Sequence, residues 1–229
     1  MQKKQISKRL AAVASFVPPG ARLVDVGSDH AYLPIYLMQK GALEKAVAGE
    51  VVAGPYQSAC QNVADHLMTE KIEVRLANGL EAFDKDDEMD TLVVAGMGGR
   101  LISEILAADE EKLSGLNRLI LQPNNHEKRL RSWLNTHGWV IVAEDILEEA
   151  GKIYEILVAE KGEQTLSSQE LSFGPYLLKG KSAIFQQKWQ QEQEKLSLAL
   201  SRIPEKHETE RSQLAHKIQE IKEILDVSK

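Results

Sequence analysis

Apolar and polar positions alternate along the first two thirds of the chain in a way that predicts strands and helices in turn. Short apolar runs predict strands at residues 22–26, 45–50, 72–76, 90–95, 118–122, 138–143 and 153–159. Stretches with helical spacing lie near residues 5–16, 31–40, 55–69, 99–107 and 126–136. Strands and helices that alternate in this order predict an α/β fold with parallel strands and right-handed crossovers.

The last two strand-like runs differ from the others because only about ten residues separate them. No crossover helix fits into that length, so we expect these two strands to form an antiparallel pair at one end of the sheet. The pattern as a whole therefore predicts a Rossmann-like sheet of seven strands.

The pattern changes after Lys161. Residues 162–168 resemble a linker, and from about residue 176 the chain has a helical pattern and is rich in Gln, Glu and Lys. Apolar residues recur at heptad-like spacings on both sides of a proline at position 204; they are Trp189, Leu196, Ile203, Leu214, Ile218, Ile221 and Leu225. Two such helices joined by a short turn predict an antiparallel, coiled-coil hairpin. We therefore expect two domains, residues 1–161 and 162–229.

Composition narrows the class of protein. The chain has 229 residues, a net charge of −6, one cysteine and no apolar run near the roughly 18 residues that span a membrane. We expect a soluble, cytoplasmic protein that has no disulfide framework. The oligomeric state stays open between a monomer and a weak dimer.

Basic residues cluster locally, although the net charge of the chain is negative. The negative net charge by itself argues against a nucleic-acid partner. Local groups of lysine and arginine can bind phosphates on an acidic protein. The candidates are Lys8, Arg9, Arg129 and Arg131 in the first domain, and Lys181, Lys188 and Lys195, which recur every seven residues in the hairpin. Solvated helix faces would show the same pattern.

Residues 22–34 contain the most informative motif, in which an apolar run ends in an acid and leads through Gly27 into a helix. Such a strand-turn-helix junction commonly binds nucleotide-like ligands, and glycine lets the chain pass close to the ligand. Asp29 and Tyr32 replace the later glycines of the dinucleotide fingerprint. A carboxylate there would repel a pyrophosphate but suits the amino acid and sulfonium groups of S-adenosylmethionine (SAM). The alternative is an ordinary turn with Asp29 as the helix N-cap.

Polar or glycine-rich segments also follow the next strands of the expected sheet. Glu50 ends the second strand, where a carboxylate can accept hydrogen bonds from ribose hydroxyls, and Asn78 follows the third, where an amide can pair with an adenine edge. The carboxyl ends of parallel strands lie at one edge of a sheet, where open α/β sheets bind ligands. We therefore predict one SAM site built from Asp25, Gly27, Ser28, His30, Glu50, Asn78, Gly79, Ala95, Gly96, Met97 and Gly98.

Four motifs resemble those of the bacterial TrmK family, and the resemblance covers essentially the whole chain. They are SKRL at residues 7–10, VDVGSDHAYLP at 24–34, AGMGG at 95–99 and LQPN at 121–124. The resemblance implies a class I methyltransferase fold followed by a helical hairpin, with SAM-dependent methylation of N1 of the adenine at position 22 of tRNA. Asn78 departs from the Asp that many class I enzymes have there, although an amide still donates and accepts hydrogen bonds.

The implied reaction needs positioning and charge stabilisation more than a strong base, because N1 of neutral adenine carries a lone pair and the product is a cation. We expect Asp29 to stabilise that cation or hold the 6-amino group, and Asn124 to pair with the adenine edge. Tyr32 or Tyr154 is expected to stack on the extruded base. His30 is expected either to bind the ligand or to cap the helix.

Other interpretations stay open at this point. A SAM-dependent enzyme of this fold could act on another RNA, a protein or a small molecule, and the chain could also be a non-catalytic RNA-binding protein. No spacing of His and Cys residues suggests a metal site.

Overall fold

The computed structural model describes residues 6–226, so the outer ends of both predicted domains lie outside the described residues. One sheet contains seven strands in the order β3-β2-β1-β4-β5-β7-β6. The strands are β1 (Ala21–Val26), β2 (Leu43–Glu50), β3 (Ile72–Leu76), β4 (Thr91–Met97), β5 (Arg118–Pro123), β6 (Trp139–Glu149) and β7 (Lys152–Lys161). Strands β1 to β5 are parallel, and β7 is antiparallel to both β5 and β6. The predicted antiparallel end of the sheet is confirmed.

Helices connect and flank these strands much as the periodicity predicted. They are α1 (Lys8–Ser15), α2 (Tyr32–Gln39), α3 (Ala53–Asp65), α4 (Gly99–Ala107), α5 (Glu110–Leu113), α6 (Glu127–Thr136), α7 (Ser168–Phe173), α8 (Pro175–Gly180), α9 (Ala183–Arg202) and α10 (Glu208–Leu225). Helix α1 begins where Ser7 Oγ accepts a hydrogen bond from the Leu10 N–H at 3.1 Å, an N-cap that satisfies one otherwise unpaired donor. None of the helices within residues 6–226 is long and apolar enough to cross a membrane.

The central strands are buried on both faces, which explains their continuous apolar sequence. Successive residues of β1 point in opposite directions, so Leu23 packs in one core cluster and Val24 in the other. The first cluster includes residues of α1, α2 and α3, and the second includes residues of α4 and α6. This sandwich holds the carboxyl ends of β1 to β5 at one rigid edge.

Helices α9 and α10 form the predicted antiparallel hairpin. The Lys217 ammonium lies 3.6 Å from the Glu192 carboxylate, while Arg211 donates to the carbonyl oxygens of Leu200 and Ile203 near the turn. The hairpin also packs on the sheet domain, because Phe185 and Trp189 share a buried cluster with residues of β6, α7 and α8; that cluster contains Ile146, Phe173 and Leu177. The fold class is confirmed, while the division at residues 161 and 162 stays a prediction.

Candidate functional site

The turn between β1 and α2 has an unusual backbone. Gly27 has a φ of +69°, and Asp29, His30 and Ala31 follow with φ values of +48°, +69° and +59°. A residue other than glycine loses about 1–2 kcal/mol in this left-handed region. Three in succession therefore make a strained turn, of the kind that concentrates at functional sites.

Two side chains hold this turn from neighbouring elements. Glu50 Oε1 accepts a hydrogen bond from the His30 N–H at 3.0 Å, and Asn62 Nδ2 donates to the His30 carbonyl oxygen, also at 3.0 Å. Helix α2 begins only at Tyr32, with Ala31 as its N-cap and no side-chain cap. The alternative interpretations that made Asp29 or His30 a helix cap are therefore wrong.

Carboxylates gather at the end of β1 and β2. Asp25 is buried and accepts a hydrogen bond from Ser28 Oγ at 2.6 Å. Burial raises the pKa of Asp25 to about 7, the Ser28 hydroxyl opposes the shift, and the negative charges of Glu50 and Asp29 add to it. The Asp29 side chain is 78% exposed, and its carboxylate lies 3.6 Å from His30 Nε2. The edge therefore has a strongly acidic side that favours a ligand with cationic groups.

The ends of β3 and β4 add an amide and a glycine-rich surface. Asn78 is exposed and caps the short 3₁₀ helix Gly79–Ala82, together with Glu81. Gly96 has a φ of +84° and is bulged out of the pairing with β5, since Ala95 pairs with Gln122 and Met97 pairs with Pro123. This segment therefore offers bare backbone to a ligand.

The Met97 side chain lies close against the backbone of Gly27. A Cβ atom at Gly27 would lie 2.3 Å from Met97 Cε, so the free end of that flexible side chain would have to move aside. Gly98 is the N-cap of α4, and a Cβ atom there would lie 2.9 Å from Asn125 Oδ1. The glycines of the two loops thus leave room where β1, β4 and β5 end side by side.

The end of β5 is fixed by a chain of hydrogen bonds that starts on α1. Arg9 Nη1 donates to Gln122 Oε1 at 2.5 Å, and Gln122 Nε2 donates to Asn124 Oδ1 at 3.1 Å. Asn124 Nδ2 in turn donates to the Gly96 carbonyl oxygen at 2.7 Å. Because Gln122 is fully buried, its amide needs these partners, and they fix the orientation of the Asn124 amide.

Arg9 does not lie on an outer basic patch as predicted. Its guanidinium stands 5.6 Å from the centre of the Tyr154 ring, and it would contact a Cβ atom on Gly96 at 3.4 Å. The Glu149 carboxylate holds the start of α1 by accepting the Lys8 and Arg9 backbone N–H groups at 2.6 and 3.3 Å. A cation therefore reaches the acidic, glycine-lined edge, and the prediction that placed Arg9 among external phosphate contacts is corrected.

The tyrosines predicted to stack on a base lie at the same edge. Tyr154 packs beneath Arg9, and the Tyr32 ring centre lies 5.6 Å from that of His30 with the planes tilted by 50°. Both side chains are partly exposed. The structure thus brings the predicted cofactor and catalytic residues to one edge of the sheet.

Two of the predicted nucleic-acid contacts are wrong. Arg131 is 0% exposed, and its guanidinium donates to Glu144 at 2.8 Å and to Glu155 at 2.5 Å. The Lys188 ammonium, on a side chain that is 21% exposed, donates to Glu155 at 2.6 Å and to Glu127 at 2.7 Å. Both cations are paired within a buried ion cluster that joins the hairpin to α6, β6 and β7.

The predicted row of lysines along the hairpin is also broken. Lys181 ends α8 and precedes α9, so it does not share a helix with Lys195. Lys195 is exposed beside Glu192, and Lys8 and Arg129 are exposed as well. Within residues 6–226, no group of three or more His, Cys, Asp and Glu side chains could hold a metal ion.

Sequence reasoning missed the contribution of Asn62 and the true place of Arg9. Asn62 lies 32 residues from the carbonyl that it holds, in a helix whose sequence carries no motif. For Arg9, the SKRL motif marked the segment but did not show which direction the side chain takes.

Comparison with known proteins agrees with this geometry. The family model described as tRNA (adenine(22)-N(1))-methyltransferase, TrmK, matches residues 23–223. A Bacillus subtilis protein named tRNA (adenine(22)-N(1))-methyltransferase is 40% identical over 237 residues, covering 99% of this chain and 99% of that protein.

Solved structures extend the comparison to the cofactor. A Streptococcus pneumoniae protein crystallised in complex with SAM is 58% identical, has a TM-score of 0.92 and aligns over 97% of this chain and 100% of its own. TrmK of M. capricolum in complex with S-adenosylhomocysteine is 28% identical, has a TM-score of 0.89 and aligns over 98% and 99% of the two chains. The chain belongs to the TrmK family of tRNA (adenine(22)-N(1))-methyltransferases.

Proposed function

We propose that this chain transfers a methyl group from SAM to N1 of the adenine at position 22 of tRNA. The structural observation behind this proposal is the single edge at which an acidic turn, a glycine-lined surface and the Asn124 amide meet. Membership of the TrmK family, and the SAM and S-adenosylhomocysteine complexes of two relatives, support it. A tRNA substrate implies a cytoplasmic enzyme.

The donor set at this edge fits SAM. The cofactor carries a cationic ammonium and sulfonium, an anionic carboxylate, ribose hydroxyls and an adenine. The acids Asp25 and Asp29 suit the cationic groups, Glu50 suits the ribose hydroxyls, and Asn78 suits the adenine edge. The backbone next to Gly27 and along residues 95–98 allows close approach. We propose that Ser28, His30, Gly79 and Met97 also contact the cofactor.

Arg9 completes this set as the partner of the cofactor carboxylate. A carboxylate placed among Asp25, Asp29 and Glu50 would be repelled unless a cation stood beside it. The Arg9 guanidinium reaches this edge. Its positive charge partly opposes the rise in the pKa of Asp25, so the charge acts at this site. A guanidinium carries five donors, of which one is used on Gln122, and it pairs with carboxylates in a planar fork.

When bound, SAM supplies a methyl group on an electron-poor sulfur. The residues of this chain then have three tasks: to hold the base in line, to stack on it, and to tolerate a positive charge on it. Asn124 holds the adenine edge, because its amide orientation is fixed by Gln122 and Gly96. Asp29 faces the charge that develops on the base, and Tyr32 or Tyr154 stacks on its ring.

The exposed cations Lys8, Arg129 and Lys195 remain as candidate contacts to the tRNA backbone. Lys181 is a weaker candidate because it lies off the hairpin helix. As oligomeric state we propose a monomer or a weak dimer, which sedimentation at two protein concentrations distinguishes.

The experiment that tests this function offers methyl-labelled SAM and several acceptors to the purified chain. We expect label in unmodified tRNA and none in ribosomal RNA, bulk protein or small metabolites. The Arg9→Met variant should bind SAM at least tenfold more weakly, while Arg129→Met, a change of the same kind at an exposed site, should bind it normally. Label in a protein or a small molecule, with none in tRNA, would contradict the proposal.

A further inference from the structure

The turn formed by Asp29, His30 and Ala31 needs support from outside itself. All three residues have left-handed backbone angles and none is glycine. Such conformations persist only where the surrounding structure fixes them. The helix that follows gives little help, because α2 has no side-chain cap at its start.

The support comes from two side chains that form hydrogen bonds with the backbone N–H and carbonyl groups of His30. The His30 N–H is bonded to Glu50 Oε1 and the His30 carbonyl oxygen to Asn62 Nδ2, each at 3.0 Å. The φ and ψ rotations of His30 lie between these two groups, so a change in either rotation would break a hydrogen bond. Asn62 is carried by α3, which is anchored to the core by the buried Ala59 and Val63.

We propose that Asn62 is a positioning residue for methyl transfer. By holding the His30 carbonyl oxygen, Asn62 keeps the turn in the left-handed form that presents Asp29 at the edge of the sheet. This inference rests on the proposed function, in which Asp29 faces the charge on the base. Asn62 itself touches neither the cofactor nor the base in this scheme.

The hydrogen bond from the His30 N–H to Glu50 links the turn to the cofactor. Glu50 holds the His30 N–H with one carboxylate oxygen, and the same carboxylate is proposed to bind the ribose hydroxyls. A bound ribose therefore fixes the carboxylate that fixes the turn. Asn62 has no contact with the cofactor in this scheme, so its hydrogen bond to His30 is the half whose loss should leave SAM binding nearly unchanged.

The test compares three variants of α3 in single-turnover methylation of tRNA. Asn62→Ala removes the donor, and Asn62→Asp keeps the shape but turns an acceptor towards the carbonyl oxygen. Gln61→Ala is the matched control, because within residues 6–226 the Gln61 amide bonds only to Asp65 of the same helix, at 2.7 Å. We expect the rate to fall roughly tenfold or more in both Asn62 variants, which corresponds to the free energy of about one hydrogen bond. SAM affinity should change by less than about threefold, because Asn62 has no contact with the cofactor in this scheme. The control should keep the wild-type rate.

A second change separates positioning from general stability. Ala31→Gly makes the left-handed angle at position 31 inexpensive, so the penalty of Asn62→Ala should shrink to about threefold when both changes are present. Hydrogen exchange of the peptide that covers residues 27–33 should be faster in Asn62→Ala than in Gln61→Ala. Transfer rates within about twofold of wild type for both Asn62 variants, or unchanged exchange, would overturn the inference. A wild-type protein that binds SAM but leaves tRNA unmethylated would instead overturn the proposed function. The hydrogen-exchange result would still show whether Asn62 fixes the backbone of His30.

Discussion

Gly27→Ala is the change whose effect the structure defines most closely. The new Cβ atom would meet Met97 Cε at 2.3 Å, and the residue would have to keep a φ of +69°. The backbone cost of a left-handed alanine is about 1–2 kcal/mol. Met97 Cε is the free end of a flexible, half-buried side chain, so moving it aside adds little to this cost. We therefore expect a loss of about 1–2 kcal/mol in the free energy of unfolding.

A matched control isolates the effect of the site. Gly41 has nearly the same φ, +67°, but a Cβ atom added there would have no neighbour within 4 Å. Gly41→Ala should lose the same backbone cost of about 1–2 kcal/mol and bind SAM normally. Gly27→Ala should bind SAM at least tenfold more weakly, because the methyl group and Met97 both border the cofactor space and cannot both keep their places.

Urea unfolding and titration calorimetry with SAM measure the two quantities. A Gly27→Ala variant that is still folded and binds SAM within threefold of Gly41→Ala would refute the placement of the cofactor beside Gly27. A clearly larger loss of stability in Gly27→Ala than in Gly41→Ala would contradict this expectation, since it would mean that Met97 cannot move aside.

Three further predictions follow from the charges. Burial raises the pKa of Asp25 to about 7 from the 3.8 of an exposed carboxyl. Between about pH 4 and 7 the folded protein therefore keeps a proton that the unfolded chain releases, so stability should decline as the pH rises through this range. Asp25→Asn should flatten that decline, as measured by urea unfolding at pH 5 and pH 8. Arg131→Leu should lower stability by about 3–5 kcal/mol, because it leaves Glu144 buried without a counter-charge and leaves Glu155 with Lys188 alone. The exposed Arg129→Leu should change stability by no more than about 0.5 kcal/mol in urea unfolding. Arg202 is exposed on α9 seven positions after Lys195. Changing both residues to Gln should reduce the salt dependence of tRNA affinity by up to about two units of log–log slope, and an unchanged slope would exclude this hairpin face from the phosphate contacts.

The strands were predictable because burial on both faces makes their sequences continuously apolar. The second half of β6 was not, because residues 144–149 include four acids. Three of them have partners that only the fold provides. Glu144 accepts from Arg131 and from the N–H groups at the start of α8, Glu148 accepts from Gln187 of α9, and Glu149 accepts from the start of α1. The strand therefore continues where its sequence looks like a loop.

The edge that carries the site was predictable because parallel strands must end together, so each strand end could be inspected for its polar residue. The cations could not be assigned in this way. Arg131 and Lys188 look like exposed residues of amphipathic helices, and their carboxylate partners Glu127, Glu144 and Glu155 lie 13 to 61 positions away in sequence. The left-handed turn was equally hidden, since no glycine marks positions 29–31.

The most direct test of the central claim is the identity and position of the modified nucleoside. An unmodified tRNA transcript is incubated with the purified chain and SAM, digested to nucleosides and analysed by mass spectrometry. A second transcript has guanine in place of the adenine at position 22. We predict 1-methyladenosine from the first transcript and no methylated nucleoside from the second. A methyl group on another atom or another nucleoside, or equal methylation of both transcripts, would contradict the proposed function.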